Sequence, residues 1–224
     1  MARGNRIVIN NKTLSEQAYI ELSKMIKNRV FAPGEKITEE QIARSLGVSR
    51  TTVKKAFTTL VQEGILEDIP RRGVFLRTYS RKERLEIYDI REVTAGLSAR
   101  YAALNMTRRD LNHLEDIYLE MEKAVSGKAN DVYAHYDLEL HDAIAEFSGS
   151  SILHDVISNL NLRLMPFTLV SFQNIEETLI EHRNILNALR NGDSESAEKY
   201  MRYHISRAKE KLFNDTDTET EETD

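Results

Sequence analysis

A chain of 224 residues that is 41% hydrophobic can bury one large core or two small ones. With no cysteine it has neither a disulfide framework nor a thiolate metal site, which suits a reducing compartment. Its net charge of -5 is unevenly spread: residues 1–80 carry 14 Lys and Arg against 8 Asp and Glu, whereas residues 81–224 carry 17 against 28.

A basic front module of residues 1–80 is therefore expected, joined to an acidic body of residues 81–213 and a tail, 214–224, whose sequence NDTDTETEETD has no apolar residue and reads as disordered. The first residues, MARGNRIVIN, are basic but hold no apolar stretch of signal-peptide length. No run approaches the roughly 20 apolar residues of a membrane span, so the expectation is a soluble, cytoplasmic protein with no membrane partner.

Residues 13–31 place Ala18, Leu22, Met25 and Ile26 at helical spacing behind a Thr13/Glu16 capping box, and APGE stops that helix. A second helix follows behind a Thr38/Gln41 box with Ile42 and Leu46 facing inward. Gly47 breaks it, and Ser49 caps a third helix running to about Glu63. Two short helices joined by a Gly-containing turn form the helix-turn-helix pattern. On the third helix Val53, Phe57, Leu60 and Val61 make the inner stripe, leaving Arg50, Thr51, Thr52, Lys54 and Lys55 outward, where a recognition helix meets bases and phosphates. GILEDIPRRGVFL then reads as a hairpin with Pro70, Arg71, Arg72 and Gly73 at its tip, a wing. A basic helix face can be mere solvation; the hydroxyl-rich helix start, the basic tip and the positive module on a negative body favour double-stranded DNA.

Beyond residue 80 strand signals almost vanish, and six amphipathic segments follow near 81–105, 107–126, 130–148, 151–171, 174–190 and 194–213, with Thr107 as a cap and Pro166 as a kink. Short loops favour antiparallel neighbours, so the body reads as an all-α bundle and the whole as mainly α. Asp137 and His141 lie four apart on one helix face. His182 precedes Gly192 by about the distance at which His204 follows it, so the two stand within roughly one turn of the same height in a helical hairpin. Four ligand-capable side chains can thus converge. Three imidazoles and a carboxylate suit a divalent ion, zinc first, with nickel, manganese or iron as alternatives, and leave coordination positions open. Hydrogen-bonded core histidines are the competing reading, and His113, His135 and His154 do not fit the constellation.

FAPGEKITEEQIARSLGVSRTTVKKAFTTLVQEGIL with PRRGVFL resembles the winged helix-turn-helix of the GntR family of bacterial transcription regulators. The resemblance implies DNA contacts from Ser49, Arg50, Thr51, Thr52 and Lys54 on the helix and from Arg72 and Gly73 in the wing. Lys54 stands where the family often has Arg; since Lys cannot fork onto a guanine, a phosphate contact is implied there. IYDIREVTAGLSARYAA, DLELHDAIAEFSGSSIL and EHRNILNALRNGDSESAEKYMRYHI resemble the FCD effector domain of the FadR subfamily, and six helices point to its VanR-like branch. In metal-binding members the ligands fall where Asp137, His141, His182 and His204 stand, and Arg91 corresponds to an arginine that meets an effector carboxylate. The alternative for Arg91 is a surface residue pairing with Glu92 or near Asp89. Ala95 and Ser150 replace a common Glu and Asn, so the pocket lining departs from the family pattern. The resemblance implies a homodimeric, ligand-responsive repressor, not an enzyme, that binds an inverted repeat and a small carboxylate. A metal-dependent enzyme and a pure metal sensor are the rival readings of the His3Asp set.

Overall fold

The computed structural model describes residues 12–164 and 175–214, in two compact units that divide between Thr78 and Tyr79. Pro166 with its expected kink, the end of the segment near 151–171, and residues 215–224 of the acidic tail lie outside the described residues.

The first unit runs α1 (Leu14–Lys27), β1 (Lys36–Ile37), α2 (Glu39–Leu46), α3 (Arg50–Gln62), β2 (Leu66–Ile69) and β3 (Gly73–Leu76). Thr13 and Glu16 close the capping box at the start of α1. At α2 only half of the expected box forms: Thr38 accepts from the Gln41 backbone N–H at 3.2 Å. Gly47 ends α2 in the left-handed conformation, and Ser49 accepts from Thr52 N–H to start α3. The buried face of α3 is Val53, Ala56, Phe57 and Leu60, whereas Val61, expected inside, is half-buried. Ala56 takes the inner position because it lies a turn before Leu60 on the same face.

The wing is a three-stranded antiparallel sheet in the order β1-β3-β2, one strand more than the expected hairpin. β1 pairs Lys36 with Phe75 and Ile37 with Val74. Its two residues are too few for any alternation to register in sequence. At the tip, Arg72 N–H donates to Ile69 O at 3.0 Å, with Pro70 second in the turn and Arg71 third at φ 64°. Proline followed by a positive φ is the type II pattern, in which the third place favours glycine.

The second unit is a bundle of α4 (Arg81–Asn105), α5 (Arg108–Ser126), α6 (Asn130–Phe147), α7 (Ser151–Leu164), α8 (Ile175–Arg190) and α9 (Ser194–Asn214). Ser80 with Glu83 and Thr107 with Asp110 close capping boxes at α4 and α5. α4 packs against α6, α7, α8 and α9. A shared core of Tyr88, Leu114, Met121, Tyr133, Leu140, Ile185 and Ile205 draws on α4, α5, α6, α8 and α9. Gly96 lets α4 lie against α9, since a Cβ there would stand 2.5 Å from Arg202 Cγ. Between α8 and α9, Gly192 at φ 66° ends the helix while its own N–H and that of Asp193 satisfy the Leu189 and Ala188 carbonyls. That tight turn sets α8 and α9 side by side.

Candidate metal centre and nucleic-acid interface

α6 carries Tyr133, Asp137 and His141 at intervals of four, so all three share one face. The α8–α9 hairpin presents His182 and His204 to the same point. One ligand atom from each of Asp137, His141, His182 and His204 lies within 4.8 Å of the others, and the three histidines are buried. The ring centroids are 4.4 Å apart for His182–His204, 5.0 Å for His141–His204 and 5.5 Å for His141–His182. His141 Nε2 meets His204 Nε2 at 3.1 Å, and His182 Nε2 approaches Asp137 Oδ1 at 3.2 Å. The His182 Nε2 is nevertheless buried without a properly directed hydrogen bond.

The outer nitrogens are also engaged. His204 Nδ1 lies 2.8 Å from Glu181 Oε2, and His182 Nδ1 lies 3.3 Å from the Tyr133 hydroxyl. Burial, then the neighbouring imidazoles and the Arg91 charge, push His141 and His182 well below the ordinary histidine range. His204 is pushed down to about 3 by burial, then by Arg91 and Lys211. All three are therefore neutral near pH 7, the state in which imidazole can ligate. Three inward Nε2 atoms, one carboxylate oxygen and an orphaned buried nitrogen form a donor set that fits a divalent ion such as zinc.

Arg91 is not a surface residue pairing with its neighbours: it is only 5% exposed on the inner face of α4. Among the described residues no carboxylate forms an ion pair with it, although its charge reaches all three histidines. Tyr88, one turn earlier, is buried beside it, and burial raises its hydroxyl above the ordinary tyrosine range. His113, His135 and His154 stand apart: His113 packs edge-on against Phe147, and His135 and His154 sit by Glu139 and Asp155. Glu181 and Tyr133 were not anticipated. Tyr133 was within reach of the spacing that relates Asp137 to His141. Glu181 gives no such signal, because adjacent helical residues point in different directions.

In the first unit Arg50, Thr51, Lys54 and Lys55 are exposed along the start of α3, and Arg71 and Arg72 are exposed at the wing tip. Ser49 and Thr52 bond to each other at 2.8 Å across the helix cap, so their hydroxyls hold the first turn as well as facing outward. Arg50 reaches Glu39 at 3.8 Å, and Arg72 lies over the Phe75 ring at 5.5 Å. Gly73 is crossed by Lys36, whose Cε would stand 2.9 Å from a Cβ at that position. Lys36 thus adds a cation beside the wing that the hairpin reading missed with β1.

Among the described residues no helix is long and apolar enough to cross a membrane. Residues 14–76 match the model of the bacterial regulatory proteins of the gntR family, and residues 86–207 match that of the FCD domain. The HTH-type transcriptional regulator YdhC of Bacillus subtilis (strain 168) is 29% identical over 196 residues, covering 85% of this chain and 87% of that protein. The HTH-type transcriptional repressor RspR of Escherichia coli (strain K12) is 25% identical over 202 residues, covering 89% of each. Among solved structures, E. coli McbR/YncC superposes with a TM-score of 0.83 at 20% identity over 92% of this chain and 99% of that one. A GntR regulator from Rhodococcus sp. RHA1 gives 0.72 at 20% identity over 89% and 97%, a likeness of fold. The relatives are transcription regulators rather than enzymes. With its front unit matching the one model and more than half its length matching the other, the chain belongs to the GntR family of bacterial regulatory proteins and carries an FCD domain.

Proposed function

We propose that this regulator is a cytoplasmic homodimeric repressor whose FCD domain takes a divalent metal, zinc first, together with a small carboxylate. The carrying observation is the cluster of Asp137, His141, His182 and His204 beside Arg91, which is buried and, among the described residues, forms no ion pair. A metal held by three neutral imidazoles and one carboxylate keeps positive charge, and Arg91 adds a second cation. The combination favours an acid whose neighbouring hydroxyl or second carboxylate can chelate, and disfavours neutral sugars. The metal would supply Lewis acidity and open coordination positions; Arg91 would orient the carboxylate by charge-assisted hydrogen bonds.

On the DNA side the proposed contacts are Ser49, Arg50, Thr51, Thr52 and Lys54 along α3, with Arg72 and Gly73 in the wing. Arg50 can fork onto a guanine, and Lys54 suits a phosphate. A repressor role is supported by the description of the relative RspR. Dimerisation is supported by exposed apolar residues on two packed helices: Ile90, Val93, Tyr101 and Leu104 on α4, Ile152 and Val156 on α7. A two-fold dimer matches an operator built as an inverted repeat.

Metal content, acid affinity and operator binding of four variants test the reading together. His182→Ala and His204→Ala are expected to lose metal and acid response but keep basal operator binding. Arg91→Ala should keep the metal and lose the acid. Arg50→Ala should weaken specific operator binding by about 1 to 3 kcal/mol with metal and acid unaffected. Histidine variants that load metal and answer the acid as wild type does would sink the site. Metal-dependent operator binding with no response to any acid would favour a pure metal sensor.

A further inference from the structure

We propose that Glu181 is a positioning residue of the metal centre: its hydrogen bond to His204 Nδ1 holds that ring with the Nε2 lone pair facing the cluster before any ion arrives. The inference rests on the metal reading above and concerns a residue outside the four-ligand set.

A carboxylate oxygen accepts, so in the 2.8 Å pair with Glu181 Oε2 the His204 Nδ1 is the donor and carries the proton. The ring's other nitrogen, Nε2, is then a bare acceptor. It sits 3.1 Å from His141 Nε2, which must in turn be the donor in that pair. The two histidines are thus unlike: His204 is already in the ligating tautomer, whereas His141 has to move its proton from Nε2 to Nδ1 before Nε2 can ligate.

Glu181 is held in place for this task. Its side chain is only 11% exposed, and Arg207 Nε lies 4.0 Å from its second oxygen. Arg207 and Lys211, both on α9, approach Glu177 at 3.6 and 3.8 Å, so the same side of the α8–α9 hairpin is laced one turn further along. A carboxylate on the outer nitrogen of a ligating histidine fixes its orientation and raises its basicity, and losing such a partner typically weakens metal binding about 10- to 100-fold.

The test uses the full-length protein, stripped of metal, as wild type, Glu181→Leu and Glu181→Gln. Zn2+ affinity is read by competition with a chelator, and the His204 tautomer by long-range 15N–1H NMR of the metal-free samples. The Leu variant is expected to bind Zn2+ about 10- to 100-fold more weakly and to lose the Nδ1-protonated form of His204. The Gln variant, whose amide oxygen still accepts from Nδ1–H, should keep the tautomer and lose only part of the affinity. Wild-type affinity in a folded Leu variant overturns the role of Glu181. So does a weakened Leu variant in which His204 remains Nδ1-protonated, since the loss then has another cause. If the Leu variant does not fold, the affinity of the Gln variant decides: equality with wild type overturns the proposal. A wild-type protein that takes up no Zn2+ removes the metal reading itself, and this role with it.

Discussion

Three imidazoles whose ring centres lie 4.4 to 5.5 Å apart inside a protein cannot readily all become cations. Unfolded, each titrates near 6.5; folded, His141 and His182 lie well below that and His204 at about 3. Between those values the unfolded chain binds protons that the folded chain does not. The contribution of these neutral histidines to the stability of the metal-free FCD domain is therefore complete above about pH 6.5 and falls as pH drops toward the folded values, by up to about 1.4 kcal/mol per pH unit for each histidine. Urea melts of metal-free protein should show a lower midpoint at pH 5 than at pH 7.5; equal midpoints would contradict the burial of neutral rings. At this scale the sequence was most informative where periodicity speaks. Asp137 and His141 share a face because they are four apart, and His182 and His204 meet because they flank Gly192 at similar distances. Glu181 was silent, since its importance comes from α9 rather than from its own neighbours. The burial of Arg91 was silent too: only packing decides whether an arginine on an amphipathic helix faces in.

Elements were legible in proportion to their length and capping. α1, α3 and α5 begin behind the hydroxyl residues expected of them, Thr13, Ser49 and Thr107. β1 was missed because a two-residue strand has no period, and its existence depends on β3 offering a partner. The contact between α4 and α9 was equally hidden, for it turns on Gly96. Alanine there gains up to about 1 kcal/mol of helix propensity, yet its Cβ would meet Arg202 at Cγ, close to the α9 backbone rather than at the free end of the side chain. Arg202 is further tied to Glu198 at 2.8 Å, which also binds Arg100 at 3.1 Å. Gly96→Ala is expected to destabilise the protein by roughly 1 to 3 kcal/mol net, as overpacking does. Adding Arg202→Ala should recover most of that loss. Thermal melts of the two single variants and the double variant decide it, and simple additivity would count against a direct clash.

For the whole molecule, charge asymmetry indicated two modules, and the structure divides between Thr78 and Tyr79. The dimer was expected from the family resemblance and not from the residue pattern, because an exposed apolar residue on one helix has no stated partner. Ile152, 75% exposed on α7, and Leu104 on α4 are the most open of the apolar side chains on those packed helices. If they meet a second copy, Ile152→Glu and Leu104→Glu should shift the sedimenting species from twice 25.8 kDa toward 25.8 kDa and weaken operator binding. An unshifted dimer would place the interface elsewhere. Arg91 has a consequence of another kind. Arg91 is buried and, among the described residues, forms no ion pair, so on the proposed reading a carboxylate that paired with it would strengthen the fold. On the proposed reading, an acid at 100 times its Kd would add about 2.7 kcal/mol of stability. Inside a cell that difference sets exposure to proteases, so the effector would govern how long each regulator molecule survives as well as what it binds. Withdrawal of the acid would then shrink the regulator pool, leaving a slow memory of past supply beside the fast response at the operator.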